Sequence, residues 1–131
     1  MIVLDTNVLA RFLLKDEPVQ HAAAVRLLGG PRDCTAPPTV LLELSWVLKV
    51  NGCSPAEIAK GLRLLLGLPH FKPIEPEAIA YALRWFEAGI DFGDALHLAL
   101  SAGHDRFLTF DKAFDKLAGE LGAFPPVSRP Q

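Results

Sequence analysis

Four acids stand against apolar sequence. Asp5 ends the run Met1-Ile2-Val3-Leu4, Glu43 interrupts residues 40–48, Asp94 lies within residues 92–100, and Asp111 follows Phe107-Leu108-Thr109-Phe110. A carboxylate among large apolar groups loses hydration unless something replaces the water. No Lys or Arg adjoins Asp5, Glu43 or Asp94 in sequence. The economical expectation is that the acids meet in space and share a divalent cation. Two unit charges about 5 Å apart, at an effective dielectric near 20, repel by roughly 3 kcal/mol. Without metal, one acid should therefore keep a proton or admit water. Mg²⁺ and Mn²⁺ prefer oxygen ligands. A water held by such an ion is a better nucleophile, and the ion stabilises charge on a phosphoryl oxygen. Hydrolysis of phosphodiesters is the chemistry this set suits, with no Ser, Cys or His nucleophile required.

Each acid also has a plain structural reading. Asp5 suits a turn after a strand, Asp94 complements a helix N-terminus, and Asp111 suits the cap of a last helix. Glu43 has the weakest such reading, because a lone acid in so apolar a helix is rare.

The elements that must position these residues follow from spacing. Residues 2–5 read as a short buried strand. Val8, Leu9, Phe12 and Leu13 give helical spacing over 7–14, and Pro18 opens a second helix to residue 28, stopped by Gly29-Gly30-Pro31. Residues 33–36 are a weak strand. Pro37-Pro38 precedes an apolar helix over 39–50. Ser54-Pro55-Ala56-Glu57 reads as a capping box opening a helix to about residue 66. Residues 70–74 form a short extended piece, and a helix follows from Glu75-Pro76-Glu77 to residue 88. Asp91 caps a helix over 92–102, 106–110 is a strand, and 111–121 is the last helix. The tail, with three prolines, adds an edge strand and then frays. Short apolar strands alternating with helices predict an α/β fold, a three-layer α/β/α sandwich with a mainly parallel central sheet. Ligands of such sheets bind at the carboxyl ends of strands, where Asp5 and Asp111 would lie.

At 131 residues the chain is expected to be a single domain, 1–131, half of it hydrophobic and about a fifth charged. No apolar stretch reaches the roughly 18 residues that a membrane span needs. The start lacks a basic flank and Asp5 breaks the apolar run, so no signal peptide is expected and a cytoplasmic location is. Cys34 and Cys53 lack metal-site spacing and read as two thiols. The net charge of −2 argues against a general nucleic-acid binder. With four acids engaged by metal, however, the 13 basic residues outnumber the remaining acids by two, so a nucleic-acid substrate stays open.

The residues that carry this chemistry resemble those of the PIN-domain ribonucleases, specifically the VapC toxins of prokaryotic toxin–antitoxin pairs. The likeness runs through Ile2-Val3-Leu4-Asp5-Thr6-Asn7-Val8-Leu9, Glu43-Leu44-Ser45-Trp46-Val47-Leu48, Asp91-Phe92-Gly93-Asp94-Ala95-Leu96-His97-Leu98-Ala99 and Leu108-Thr109-Phe110-Asp111-Lys112-Ala113-Phe114. All four pieces stand in order at family-like separations.

The resemblance implies a PIN-like fold and an Mg²⁺- or Mn²⁺-dependent endoribonuclease. Asp5, Glu43 and Asp94 match the family's three main acids, and Asp111 the more variable fourth. Thr6 and Asn7 match the polar pair after the first acid and Thr109 the hydroxyl before the last, with the work of orienting carboxylates and metal-bound water. It further implies an RNA substrate, tRNA or rRNA among the targets, a cognate antitoxin that covers the site, and a homodimer. The apolar helices suggest a dimer independently.

Asp115, one turn after Asp111, either shares its role or lies on a solvated face. Asp91 reads as a cap rather than a ligand, and His97 as a packed helix histidine rather than a hydrogen-bond partner of a site carboxylate or substrate. Three rival readings stand beside this one. A haloacid-dehalogenase-type phosphatase would need a second acid where Asn7 stands. A response-regulator receiver would need an acidic pair and a late lysine that cannot be placed. The third is an inactive PIN-like interaction module.

Overall fold

Parallel pairing between two-residue strands occurs in each half of the chain, alongside seven helices. The computed structural model describes residues 1–131. It divides into two compact units, Met1–Pro76 and Glu77–Gln131.

In the first unit β1 (Ile2–Val3) leads through α1 (Thr6–Leu14) and α2 (Pro18–Leu28) to β2 (Cys34–Thr35), then α3 (Pro38–Val50) and α4 (Pro55–Leu66). β1 and β2 are parallel, with Ile2 opposite Cys34 and Val3 opposite Thr35. Leu4 N–H donates to the Thr35 carbonyl at 2.8 Å. The extended piece expected at residues 70–74 is present only as a bridge, Cys34 to Phe71. Cys34 N–H donates to the His70 carbonyl at 2.7 Å, and Lys72 N–H donates to that of Cys34 at 2.8 Å. Side chains lock the same register: His70 Nδ1 and Lys72 Nζ each lie 2.9 Å from an Asp33 carboxylate oxygen. The hydrogen bonds from His70, then Lys72, hold that carboxyl below its usual value.

Local signals set the helices. Pro18, Pro38 and Pro55 stand in first turns, where no N–H is lost. Ser54 and Glu57 close the expected capping box, with Glu57 N–H to Ser54 Oγ at 3.1 Å and Ser54 N–H to Glu57 Oε1 at 2.9 Å. Leu9, Leu41, Leu44 and Leu65 are buried completely or nearly so.

The second unit holds α5 (Pro76–Glu87, its first residue just before the boundary), α6 (Phe92–Leu100), β3 (Phe107–Leu108), α7 (Lys112–Leu121) and β4 (Val127–Ser128). β3 and β4 are parallel, Phe107 opposite Val127, so the proline-bearing tail does supply a strand. Tyr81, Trp85 and Phe124 pack with centroids 4.9–5.7 Å apart, two of the three pairs edge-on. α7 ends at Gly122, whose φ of +64° is the left-handed cap that glycine takes without strain.

The α/β class and the parallel sense of the strands are as expected. The strands are shorter than the apolar runs implied: the runs at 2–5 and 106–110 each yield two paired residues. The pairing lies in two two-stranded sheets, β1-β2 and β3-β4.

Candidate active site

Asp5 stands where β1 gives way to α1. Its backbone is extended, and its Oδ1 accepts from Thr6 N–H at 2.7 Å, so it caps the helix. Leu4 before it and Thr6 after it are buried, whereas Asp5 is exposed. Thr6 is 6% exposed and its Oγ1 has no hydrogen-bond partner. A buried hydroxyl left unmatched costs free energy, so this atom, next to the first acid, is suited to a ligand or a water. Asn7 is exposed at the start of α1.

Glu43 overturns one expectation. It lies in an apolar helix, α3, yet it is exposed. The buried side chains of that helix are Val40, Leu41, Leu44, Ser45 and Leu48. Glu43 shares the other face with Trp46 and Val50, which are 65% and 63% exposed. Sequence neighbours on a helix diverge by about 100° per residue. An apolar run therefore does not imply an apolar environment for one residue within it. The same correction applies to Asp5 and Asp111, both exposed. Of the four acids only Asp94 is half-buried.

Asp94 sits in the first turn of α6. Burial pushes its carboxyl above the usual value; the charges of Asp91 and Asp111 add to this, and His97 opposes it. Asp91 caps the helix, its Oδ2 accepting from Asp94 N–H at 3.1 Å. His97 is exposed, so the packed-histidine reading does not hold. Asp111 caps α7, its Oδ1 accepting from Phe114 N–H at 3.0 Å. Thr109 Oγ1 accepts from Asp111 N–H at 3.1 Å and so fixes the backbone that carries this acid. Asp115 pairs with Arg129 at 3.7 Å, a partner that spacing could not identify across thirteen intervening positions of chain.

Asp91, Asp94 and Asp111 thus concentrate negative charge in the second unit, with Asp94 feeling both neighbours. Within neither unit do three His, Cys, Asp or Glu side chains come together as a metal-ligating group. The donors themselves are the hard oxygens that Mg²⁺ and Mn²⁺ select, and a cation relieves the repulsion on Asp94. By donor chemistry the residues fit such an ion.

The PIN domain family model matches residues 2–120, a span that contains all the acids above and Thr6, Asn7 and Thr109. The chain belongs to the PIN domain family. Its α/β architecture with parallel strands is PIN-like. PIN domains are generally nucleases that act on RNA, and they typically use divalent metal ions. No curated protein matches the chain. No helix is long and apolar enough to cross a membrane.

Proposed function

We propose that this PIN domain is a metal-dependent endoribonuclease, the toxin of a VapBC-type pair. In this reading Asp5, Glu43, Asp94 and Asp111 hold Mg²⁺ or Mn²⁺, and residues 1–131 work as one domain. The observation that carries the reading is the placement of three of these acids in a chain matched over residues 2–120 by the PIN model. Asp5 and Asp111 follow the carboxyl ends of β1 and β3 and cap the next helix, and Asp94 occupies the first turn of α6. Helix N-termini and strand carboxyl ends are where α/β folds bind phosphate-bearing ligands.

The bound cation supplies an activated water and neutralises charge on the phosphoryl group. The rest of the work belongs to the chain. The carboxylates that hold the cation also take a proton from the attacking water. Thr109 holds Asp111 in place through its backbone N–H. The unmatched Thr6 hydroxyl is free to orient Asp5 or a water beside it. A cytoplasmic homodimer, a cognate antitoxin and a tRNA or rRNA target complete the proposal.

The test is cleavage of total RNA with and without EDTA, with mapping of the new ends. Wild type cuts only with divalent metal. Asp5→Asn and Asp94→Asn lower the rate by about 10² or more, while circular dichroism stays native. Unchanged cleavage by either variant removes that residue from the site. The inactive interaction module is the second reading, favoured by the exposed Glu43 and the lack of a three-ligand group in either unit. It predicts no cleavage under any metal.

A further inference from the structure

Phe110 directly precedes Asp111 and is 79% exposed, more than any other large hydrophobic side chain of the protein. A phenyl ring left in water forfeits the gain from burying it. The unit does bury rings close by: Phe107 packs edge-on against Phe114, with centroids 5.8 Å apart. Phe110 has no such partner.

The backbone fixes this placement. Phe107 N–H donates to the Pro126 carbonyl at 2.8 Å and Thr109 N–H to that of Ser128 at 3.0 Å, so the segment is extended. Side chains alternate along extended chain. Phe107 and Thr109 are half-buried, whereas Arg106, Leu108 and Phe110 are exposed. Asp111 N–H donates to Thr109 Oγ1 at 3.1 Å, a bond that spans Phe110 and holds its backbone. Phe114 N–H donates to Asp111 Oδ1 at 3.0 Å and holds the acid that follows.

The outward face thus carries a cation, a leucine and an aromatic ring, and it ends at an acid of the proposed site. Lys112, also exposed, comes next. Consecutive Cα atoms are about 3.8 Å apart, so the ring stands within a side chain's length of the Asp111 carboxylate. The charge of Asp111 is felt at Asp94, which puts the ring beside a pair of acids.

These neighbours decide between occupants. The core of a protein–protein interface is depleted of charge, but Phe110 lies among exposed Arg106, Asp111 and Lys112. Aromatic faces interleaved with cations suit single-stranded nucleic acid: phosphates meet the cations, and bases of any sequence stack on the rings. Aromatic side chains on strands stack unpaired RNA bases in this way.

We propose that Phe110 is a stacking platform for an unpaired base of the RNA substrate, holding the strand so that a neighbouring phosphate meets the acids. This rests on the nuclease reading above.

The test measures binding of the full chain, with Mg²⁺, to a fluorescent 2′-O-methyl RNA hexamer, whose modified sugars resist cleavage. A base-free hexamer with the same phosphates is the control. Phe110→Ala and Phe110→Leu should each weaken the RNA hexamer about tenfold, whereas Phe110→Tyr, which keeps a ring, retains binding. The base-free hexamer should bind weakly and alike to all four proteins. Circular dichroism of each variant should match wild type, since the ring packs against no other ring. Wild-type affinity in Phe110→Ala overturns the proposal, and so does full rescue by Phe110→Leu, because leucine has no π-face. Failure of wild type to bind the RNA hexamer overturns it too. A change of mass in Phe110→Ala by light scattering, with RNA binding intact, assigns the ring to a protein contact and overturns it as well. Cleavage of total RNA by the same wild-type preparation separates the two ideas. Cleavage without a Phe110 effect on binding leaves the nuclease and removes the platform. Ring-dependent binding without cleavage does the reverse.

Discussion

At the scale of single residues, Asp94 is the half-buried one of the four candidate acids. Its carboxyl is raised by burial first and by Asp91 and Asp111 next. A raised acid binds its proton more tightly in the folded state than in the unfolded one. Stability therefore falls as pH rises from the ordinary carboxyl value of 3.8 through the folded value, and the loss persists above it. Asp94→Asn carries no such charge. We expect denaturant melts of metal-free protein between about pH 4 and pH 7 to show wild type losing ground to Asp94→Asn as pH rises. Parallel pH profiles for the two proteins would remove the electrostatic account. Glu43 teaches the opposite lesson. Its apolar neighbours in sequence lie on the buried face of α3 while it faces out beside Trp46, so the sequence located the acid but misjudged its environment.

At the scale of elements, local rules were legible because local groups satisfy them. The Ser54–Glu57 box, the proline starts of α2, α3 and α4, and the caps at Asp91 and Asp111 involve partners within a few residues. Each element can be probed alone. Ser54→Ala removes one acceptor from the start of α4 and should lower unfolding free energy by about 1 kcal/mol. Gly122→Ala places a Cβ at φ +64° and should lower it by roughly 1–2 kcal/mol. Urea denaturation reads both effects; a stabilised Gly122→Ala would deny the left-handed cap. Strand lengths were not legible, because a strand ends where its neighbour stops pairing. The partners of Ile2 and Phe107 are Cys34 and Val127, distant along the chain.

At the scale of the whole molecule, two predictions apply. If the carboxylates hold a cation in the native state alone, millimolar Mg²⁺ or Mn²⁺ raises the melting temperature, by about 2.7 kcal/mol of stability at a hundredfold excess over Kd. Asp5→Asn should abolish the rise, and a flat melting temperature in wild type would sink the metal site. The exposed Trp46 and Val50 on one face of α3 support the proposed homodimer. Light scattering at micromolar concentration should give twice the 14.2 kDa chain mass, and Trp46→Glu should return it to one. The sequence by itself determined the α/β class, the helix starts and which acids to examine, because periodicity, capping and residue chemistry act over a few positions. Only tertiary structure decided that Asp5, Glu43 and Asp111 are exposed, that Asp115 is taken by Arg129, and that Phe110 stands in solvent. Burial and long-range pairing depend on which faces meet, and one strand of letters does not carry that geometry.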